Sequence, residues 1–282
     1  MSKTNLIIID AGVEHLHLSI QENSQTKNLV IANNDKIETL FKNHGVLELL
    51  KEPTNNLYLT GKLAEIVKTT VRGGEIIIPG AALWAGADFL LSKLKNHDSL
   101  GIIDLSASGY MIVAVDKAGD LKNDLLIANP HCGAGSGINL NRILEKLAIE
   151  KNQVDNILRD YLGEAGRAKR QSVNVRADRC GVFSSSATIS DKNQGVPLPF
   201  ALAVTMKSEV LKPIKKMTPG IEAVYLTGRV FKWQFMRDSA RDYLRSIGVK
   251  EVFYDEEQAL MIRGVEYLVE KIGRENFKKS EE

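Results

Sequence analysis

Cysteine is nearly absent from this sequence: 282 residues contain two, Cys132 and Cys180. Two thiols so far apart cannot staple a secreted fold, and they fit a reducing, cytoplasmic interior. An excess of one charge is missing as well, since 37 Lys and Arg face 35 Asp and Glu. A formal charge of +2 excludes the global basic surface of a nucleic-acid-coating protein. Long apolar runs are also lacking. The first, Leu6 to Ile9, stops at Asp10, too short for a signal-peptide core. The stretch Ile76 to Leu91 holds Pro79 and Asp88 and falls short of the ~20 residues of a spanning helix. No nucleic-acid or membrane partner is therefore expected. What remains is 44% hydrophobic and 26% charged, an ordinary folded composition in a chain long enough for two lobes.

Short apolar runs bounded by turn residues read as strands. Leu6–Ile9 leads to Asp10-Ala-Gly12, and His15–Ile20 then alternates as a hairpin partner. Asn28–Ala32 is a third strand, and Lys36–Leu50 has helical spacing. Leu57–Thr60 with Gly61 is a strand and turn before helical spacing over Lys62–Val71, and Pro79 introduces a buried helix over Gly80–Leu94. The same grammar then restarts. Leu100–Asp104 is a strand ending in an acid, and Tyr110–Asp116 alternates beside it. This is a weak internal duplication. A helix over Ile138–Ile149, a basic segment around Arg167–Arg179 and a long helix over Pro199–Lys216 follow. The strand Ala223–Leu226, a helix over Lys232–Ile247, the strand Glu251–Tyr254 and a helix over Glu256–Ile272 close the chain.

Four constellations bear chemistry. Cys132-Gly-Ala-Gly-Ser-Gly137 opens a helix, and three glycines there let backbone N–H groups form an anion nest. A phosphate, or an anionic metal–thiolate group on Cys132, suits such a turn; a tight turn with a buried thiol is the bland alternative. Arg179-Cys180-Gly-Val-Phe-Ser-Ser-Ser186 places the second thiol beside an apolar run, which taken singly reads as packing. Asp10 and Asp104 end strands and are followed by small residues, a place for orienting a metal-bound phosphate or an attacking water, or for capping a turn. His131, Cys132 and Cys180 lack zinc-site spacing. The basic segment reads as a solvated face or a dock for an acidic partner.

In this order the pieces resemble the ATPase activators of 2-hydroxyacyl-CoA dehydratases and the related benzoyl-CoA reductase ATPase subunits. Cys132-Gly-Ala-Gly-Ser-Gly137, with Ile143-Leu144-Glu145 behind it, is similar to that family's Cys-Ala-Ala-Gly-Thr-Gly motif. Cys180-Gly-Val-Phe183 matches half of a second motif, and Glu75, Val224–Gly228 and Gln258–Gly264 keep the family's order. The resemblance implies an α/β, two-lobed acetate and sugar kinase/Hsp70/actin-like (ribonuclease H-like) fold. One lobe is expected over residues 1–99, with the closing helix 258–275 able to pack back on it, and a second over 100–257. It also implies Cys132 and Cys180 as metal ligands, a [4Fe–4S] cluster shared across a homodimer, and an iron–sulfur dehydratase or reductase as partner. Asp10 and Asp104 would be catalytic, and Gly12, Gly135, Ser136, Gly137, Thr227 and Gly228 would hold ATP with Mg²⁺. The ligand count agrees independently, since a cubane takes four thiolates and this chain has two.

The nucleotide turns depart from that pattern. Where the family reads Asp-x-Gly-Ser/Thr-Thr and ends near a lysine, this chain has Asp10-Ala-Gly12-Val-Glu14-His-Leu-His17. Asp104-Leu-Ser-Ala-Ser-Gly109 has lost the paired glycines and glutamine of the second phosphate turn, and Ser184–Ser186 replace acids after the second cysteine. In the adenosine motif Arg229 follows Thr227-Gly228 in place of a glycine. An ATP-driven activator with unusual loops, a non-hydrolysing relative serving as electron carrier, sensor or assembly factor, and a sugar- or acid-kinase-like enzyme are the readings left. The last leaves both cysteines unexplained. Glu14 places a carboxylate where a phosphate would come, a repulsion of several kcal/mol, roughly, in a poorly solvated site. Weak nucleotide binding and slow ATP hydrolysis are therefore predicted. Calorimetry with ATP and Mg²⁺, beside phosphate release from the reduced protein, checks this; robust turnover abolished by Asp10→Asn and by Asp104→Asn would refute it.

Overall fold

The computed structural model describes residues 5–22, 25–53, 55–129, 137–176 and 181–272. In chain order these form β1 (Leu6–Ala11), β2 (His15–Glu22), β3 (Gln25–Ala32), α1 (Ile37–Asn43), α2 (Leu47–Lys51), β4 (Asn56–Thr60), α3 (Ala64–Val71), β5 (Glu75–Ile76) and α4 (Pro79–Lys93). Then come β6 (Ser99–Ser106), β7 (Gly109–Asp116), β8 (Leu121–Asn129), α5 (Gly137–Lys146), α6 (Val154–Ile157), α7 (Arg167–Ser172), α8 (Gly181–Asn193) and α9 (Leu198–Ile214). The chain ends with β9 (Ala223–Thr227), α10 (Gln234–Ser246), β10 (Glu251–Tyr254) and α11 (Leu260–Ile272). Two compact units result, one of Met1–Lys93 with Ala259–Glu282, the other of Leu94–Gln258.

Each unit is built on a five-stranded sheet, in the order β3-β2-β1-β4-β5 in the first and β8-β7-β6-β9-β10 in the second. In both, an antiparallel meander of three strands is extended by two strands parallel to the first. The repeated grammar of the sequence is thus a repeated topology. The unbroken apolar run of β1 follows from burial on both faces. Ile7, Ile9 and Ala11 pack with Phe41 of α1 and Val67 of α3. Leu6 and Ile8 pack on the other side with Ala82 and Ala85 of α4 and Val265 and Val269 of α11. In the second unit Ile103 and Leu105 of β6 share a core with Ile143 of α5, Val210 of α9 and Phe235 of α10.

The structure alters two expectations. The single helix expected over 36–50 is two helices, because the chain reverses at Gly45 (φ +67°). The N–H of Val46 donates to Phe41 O (3.0 Å) and that of Gly45 to Lys42 O (3.0 Å), closing α1. The helical period nonetheless marked the buried stripe, as Leu40, Phe41, Leu47 and Leu50 all face inward. The basic segment is a solvated face only in part: Lys169 is exposed, but two of its arginines are not. Arg170 has a side chain only 3% exposed. Its Nε donates to Asp242 Oδ2 at 2.9 Å, its Nη1 donates to Tyr161 O (2.6 Å) and Gly163 O (2.7 Å), and Asp238 lies 3.6 Å away. Arg176 pairs with Asp191. Both guanidiniums are committed within the chain and are not free docking charges; Arg179 lies outside the described residues.

Arg170 ties α7 to α10 through buried charges, and removing one partner of such a network strands the others. Arg170→Ala should cost about 3–5 kcal/mol in urea unfolding. Lys169→Ala, whose exposed ammonium meets Asp160 at 3.1 Å, should cost under ~1 kcal/mol.

Candidate functional site

Both units carry a carboxylate near the end of their first strand, beside a parallel strand that ends in Thr and is followed by Gly. Asp10 stands opposite Thr60 across β1 and β4, and opposite His17 across β1 and β2. Asp104 stands opposite Thr227 across β6 and β9, and opposite Met111 across β6 and β7. The glycines that follow, Gly61 (φ +90°) and Gly228 (φ +95°), take a conformation open to few other residues. A Cβ on Gly61 would sit 2.5 Å from Asp10 Oδ1 and 2.7 Å from Ala11 O. On Gly228 it would sit 2.6 Å from Asp104 Oδ1 and 2.3 Å from Leu105 O. In both units a bare backbone lies against the acid, where any side chain would displace it.

The two acids differ in their surroundings. Burial pushes the Asp10 carboxyl up to about 6. Thr60, fully buried beside it, has no hydrogen-bond partner for Oγ1. Its counterpart Thr227 donates instead to Asp255 Oδ2 at 3.0 Å. The turn after Asp10 is pinned by Asn33, whose Nδ2 donates to Val13 O (2.9 Å) and Gly12 O (3.4 Å) and whose N–H donates to Glu14 O (2.7 Å).

In the second unit the turn after Asp104 is closed by Ser106, whose Oγ donates to Gly109 O (3.3 Å) and lies 3.5 Å from Ser108 Oγ. The N-terminus of α5 rests on this turn. Ile138 N–H donates to Ala107 O at 3.2 Å, and a Cβ on Gly137 would be 3.2 Å from both Ala107 Cα and Val230 Cγ2. Asp104, Gly137, Thr227 and Gly228 are thus brought together at the C-terminal ends of β6 and β9, where α/β sheets place their ligand sites. Asp10 and Gly12 occupy the matching place in the first unit. Cys132, Gly135, Ser136 and Cys180, with His131, lie outside the described residues.

The fold places two of the three serines that the sequence shows after the second cysteine. Ser184 and Ser185 are buried on α8, and Lys146 Nζ of α5 donates to Ser185 Oγ at 3.3 Å. They serve helix packing. Glu209, fully buried on α9, accepts from Lys212 Nζ (2.8 Å) and from Asn139 Nδ2 (3.4 Å) of the first turn of α5. Sequence reasoning missed Glu209, whose only signal was being the one carboxylate of α9. Among the described residues no group of three or more His, Cys, Asp or Glu is placed to hold a metal ion, and no helix is long and apolar enough to cross a membrane.

The desolvated carboxyl of Asp10 gives a pH test. Its folded-state pKa, about 6, is raised above the ordinary aspartate value of 3.8. Its stabilising contribution is therefore complete below 3.8 and is lost as pH rises through about 6. Asp10→Asn should be more stable than the parent at about pH 7.5, by up to ~3 kcal/mol, with the gap closing near pH 4. Guanidinium unfolding at both pH values measures it, and an equal gap at both would mean a solvated carboxyl.

No protein-family model matches the sequence. An uncharacterised protein of Methanocaldococcus jannaschii is 25% identical over 195 residues, covering 67% of this chain and 70% of that protein. Two solved structures match over nearly the full length. The component A of (R)-2-hydroxyglutaryl-CoA dehydratase from Acidaminococcus fermentans has a TM-score of 0.69 at 17% identity, covering 99% of this chain and 100% of that one. The activator of 2-hydroxyisocaproyl-CoA dehydratase from Clostridium difficile, solved with bound ADPNP, has a TM-score of 0.66 at 16% identity, covering 98% of each chain. The resemblance read from the sequence thus recurs in three dimensions, and the chain has the two-lobed, actin-like ATPase fold of the dehydratase activators.

Proposed function

We propose that this chain is an activator-type iron–sulfur protein of the cytoplasm, working as a homodimer that passes electrons to a dehydratase- or reductase-type iron–sulfur partner acting on a CoA thioester. One observation carries the reading: both cysteines of the chain fall in the two cysteine motifs that resemble the activators, in a chain with the activators' fold. The donor chemistry fits. Two thiolates from each of two chains make the four ligands of a cubane, and the described residues hold no competing three-ligand group. Cys132 and Cys180 would hold the cluster, which when bound supplies a reversible one-electron store.

The nucleotide reading draws on the ADPNP-bound activator and on the strand-end geometry. Asp10 and Asp104 would orient a Mg²⁺-bound phosphate, each held in place by the glycine backbone against it. Gly12, Gly135, Ser136 and Gly137 would line the phosphates, and the bare faces of Gly61 and Gly228 leave room for close approach. ATP with Mg²⁺, when bound, supplies the driving force for electron transfer. Burial raises the Asp10 carboxyl to about 6, and Glu14 adds a second carboxylate to the adjoining turn. These two features support a second reading, an electron carrier, sensor or assembly factor that does not hydrolyse ATP.

Anaerobically purified protein should be brown, with about four irons per dimer. Cys132→Ser and Cys180→Ser should each lose the iron, the sulfide and the visible absorbance, since either change removes two of the four ligands. Colourless, iron-free protein after anaerobic reconstitution would end this reading.

A further inference from the structure

One face of α9 is polar and yet buried. Thr205, Ser208, Glu209 and Lys212 recur at the i, i+3, i+4, i+7 spacing of a single helix face, and the first three are at most 2% exposed. Within this stripe the Glu209 carboxylate accepts from Lys212 Nζ at 2.8 Å and from Asn139 Nδ2 of α5 at 3.4 Å. Apolar residues of similar volume commonly replace a buried ion pair at no loss of stability. What such a pair supplies instead is direction, because its bonds form in one arrangement only.

The position at stake is that of α5. Its core stripe, Leu140, Ile143 and Leu144, makes non-directional contacts that a short helix can satisfy after sliding. A slip of one residue moves a helix about 1.5 Å along its axis and turns it by about 100°. The first residue of α5 has no tolerance for that. Gly137 sits between the turns that follow Asp104 and Gly228, where a Cβ would be 3.2 Å from both Ala107 Cα and Val230 Cγ2. Any side chain brought to that place would push the two turns apart.

Directional bonds oppose the slip. Asn139, 7% exposed, ties the first turn of α5 to Glu209, and Lys146 Nζ ties its last residue to Ser185 Oγ of α8 at 3.3 Å. The partners of these ties are themselves joined, since Thr188 Oγ1 of α8 lies 2.5 Å from Thr205 Oγ1 of α9. Of the two ties, only that of Asn139 acts beside Gly137 and the Ile138 N–H, which donates to Ala107 O at 3.2 Å.

We propose that Glu209, through Asn139, is the positioning residue that holds α5 in register on the turns after Asp104 and Gly228, and so sets the geometry of the nucleotide site. The proposal rests on the nucleotide reading above. Its test combines amide exchange, calorimetry with ADP and Mg²⁺, and urea unfolding, all on the full-length protein. Asn139→Ala cuts the tie and leaves Glu209 bonded to Lys212. Exchange of the Ile138 amide should quicken about tenfold or more, and ADP should bind about tenfold more weakly. The urea midpoint should stay near that of the parent, since alanine is the better helix former. Asn139→Ala, Glu209→Leu and Lys212→Met combined should show the same two losses with an unchanged or higher midpoint. Glu209→Gln keeps an oxygen for Asn139 and should keep the Ile138 protection. Lys146→Ala, which cuts the far tie, should alter neither exchange nor affinity.

Unchanged Ile138 exchange in Asn139→Ala overturns the proposal. So does faster exchange with unchanged ADP affinity, which would make the network a packing feature alone. The same losses in Lys146→Ala would mean a general loosening of α5 and overturn it as well. A parent that binds no ADP overturns the nucleotide reading and this role together, and the Ile138 exchange then still tells whether Asn139 fixes the register. Should the triple variant fail to fold, Asn139→Ala and Lys146→Ala decide.

Discussion

The constraint on which this structure turns is the contact between a glycine backbone and a strand-end carboxylate, made once in each unit. Gly61 presses on Asp10 and Gly228 on Asp104, each at positive φ and each with no room for a Cβ. The contact exists because a parallel strand ends in register with the acid, Thr60 beside Asp10 and Thr227 beside Asp104. That register depends in turn on sheets buried on both faces, where a slip of one residue would reverse every side chain. Core packing and the geometry of the acids are therefore one problem.

The two units solve it with different chemistry. In the second, Thr227 is satisfied by Asp255, which β10 brings alongside β9. In the first, the short β5 continues into Ile77, so Thr60 meets no such carboxylate and the Asp10 carboxyl is desolvated. That burial pushes the Asp10 carboxyl up to about 6. The repeated topology is a common frame whose two halves surround the matching threonine differently.

Buried polar networks hold the helices that carry these turns. Glu209 joins α9 to the first turn of α5 through Asn139, and Arg170 joins α7 to α10 through Asp238 and Asp242. Such groups contribute little net stability when satisfied and cost much when broken. Their effect is to fix helix positions, and α5 directly follows the glycine-rich cysteine motif in sequence. The sequence retains both cysteines while its nucleotide turns depart from the activator pattern.

Much of this could be read from the sequence. Asp10 and Asp104 were visible as acids ending apolar runs, Thr60-Gly61 and Thr227-Gly228 as turns, and the order of strands as a repeated grammar, because these are local consequences of period and turn chemistry. The break at Gly45 was legible too, but the apolar period ran through it. What only the tertiary structure decided depends on residues far apart in the chain. That Arg170 is buried follows from Asp238 and Asp242, some seventy residues away; that Thr227 is satisfied and Thr60 is not follows from which strand lies at the sheet edge. Local sequence determines backbone conformation through short-range sterics, whereas the charge state and partners of a side chain are set by whatever the fold brings within a few ångströms of it.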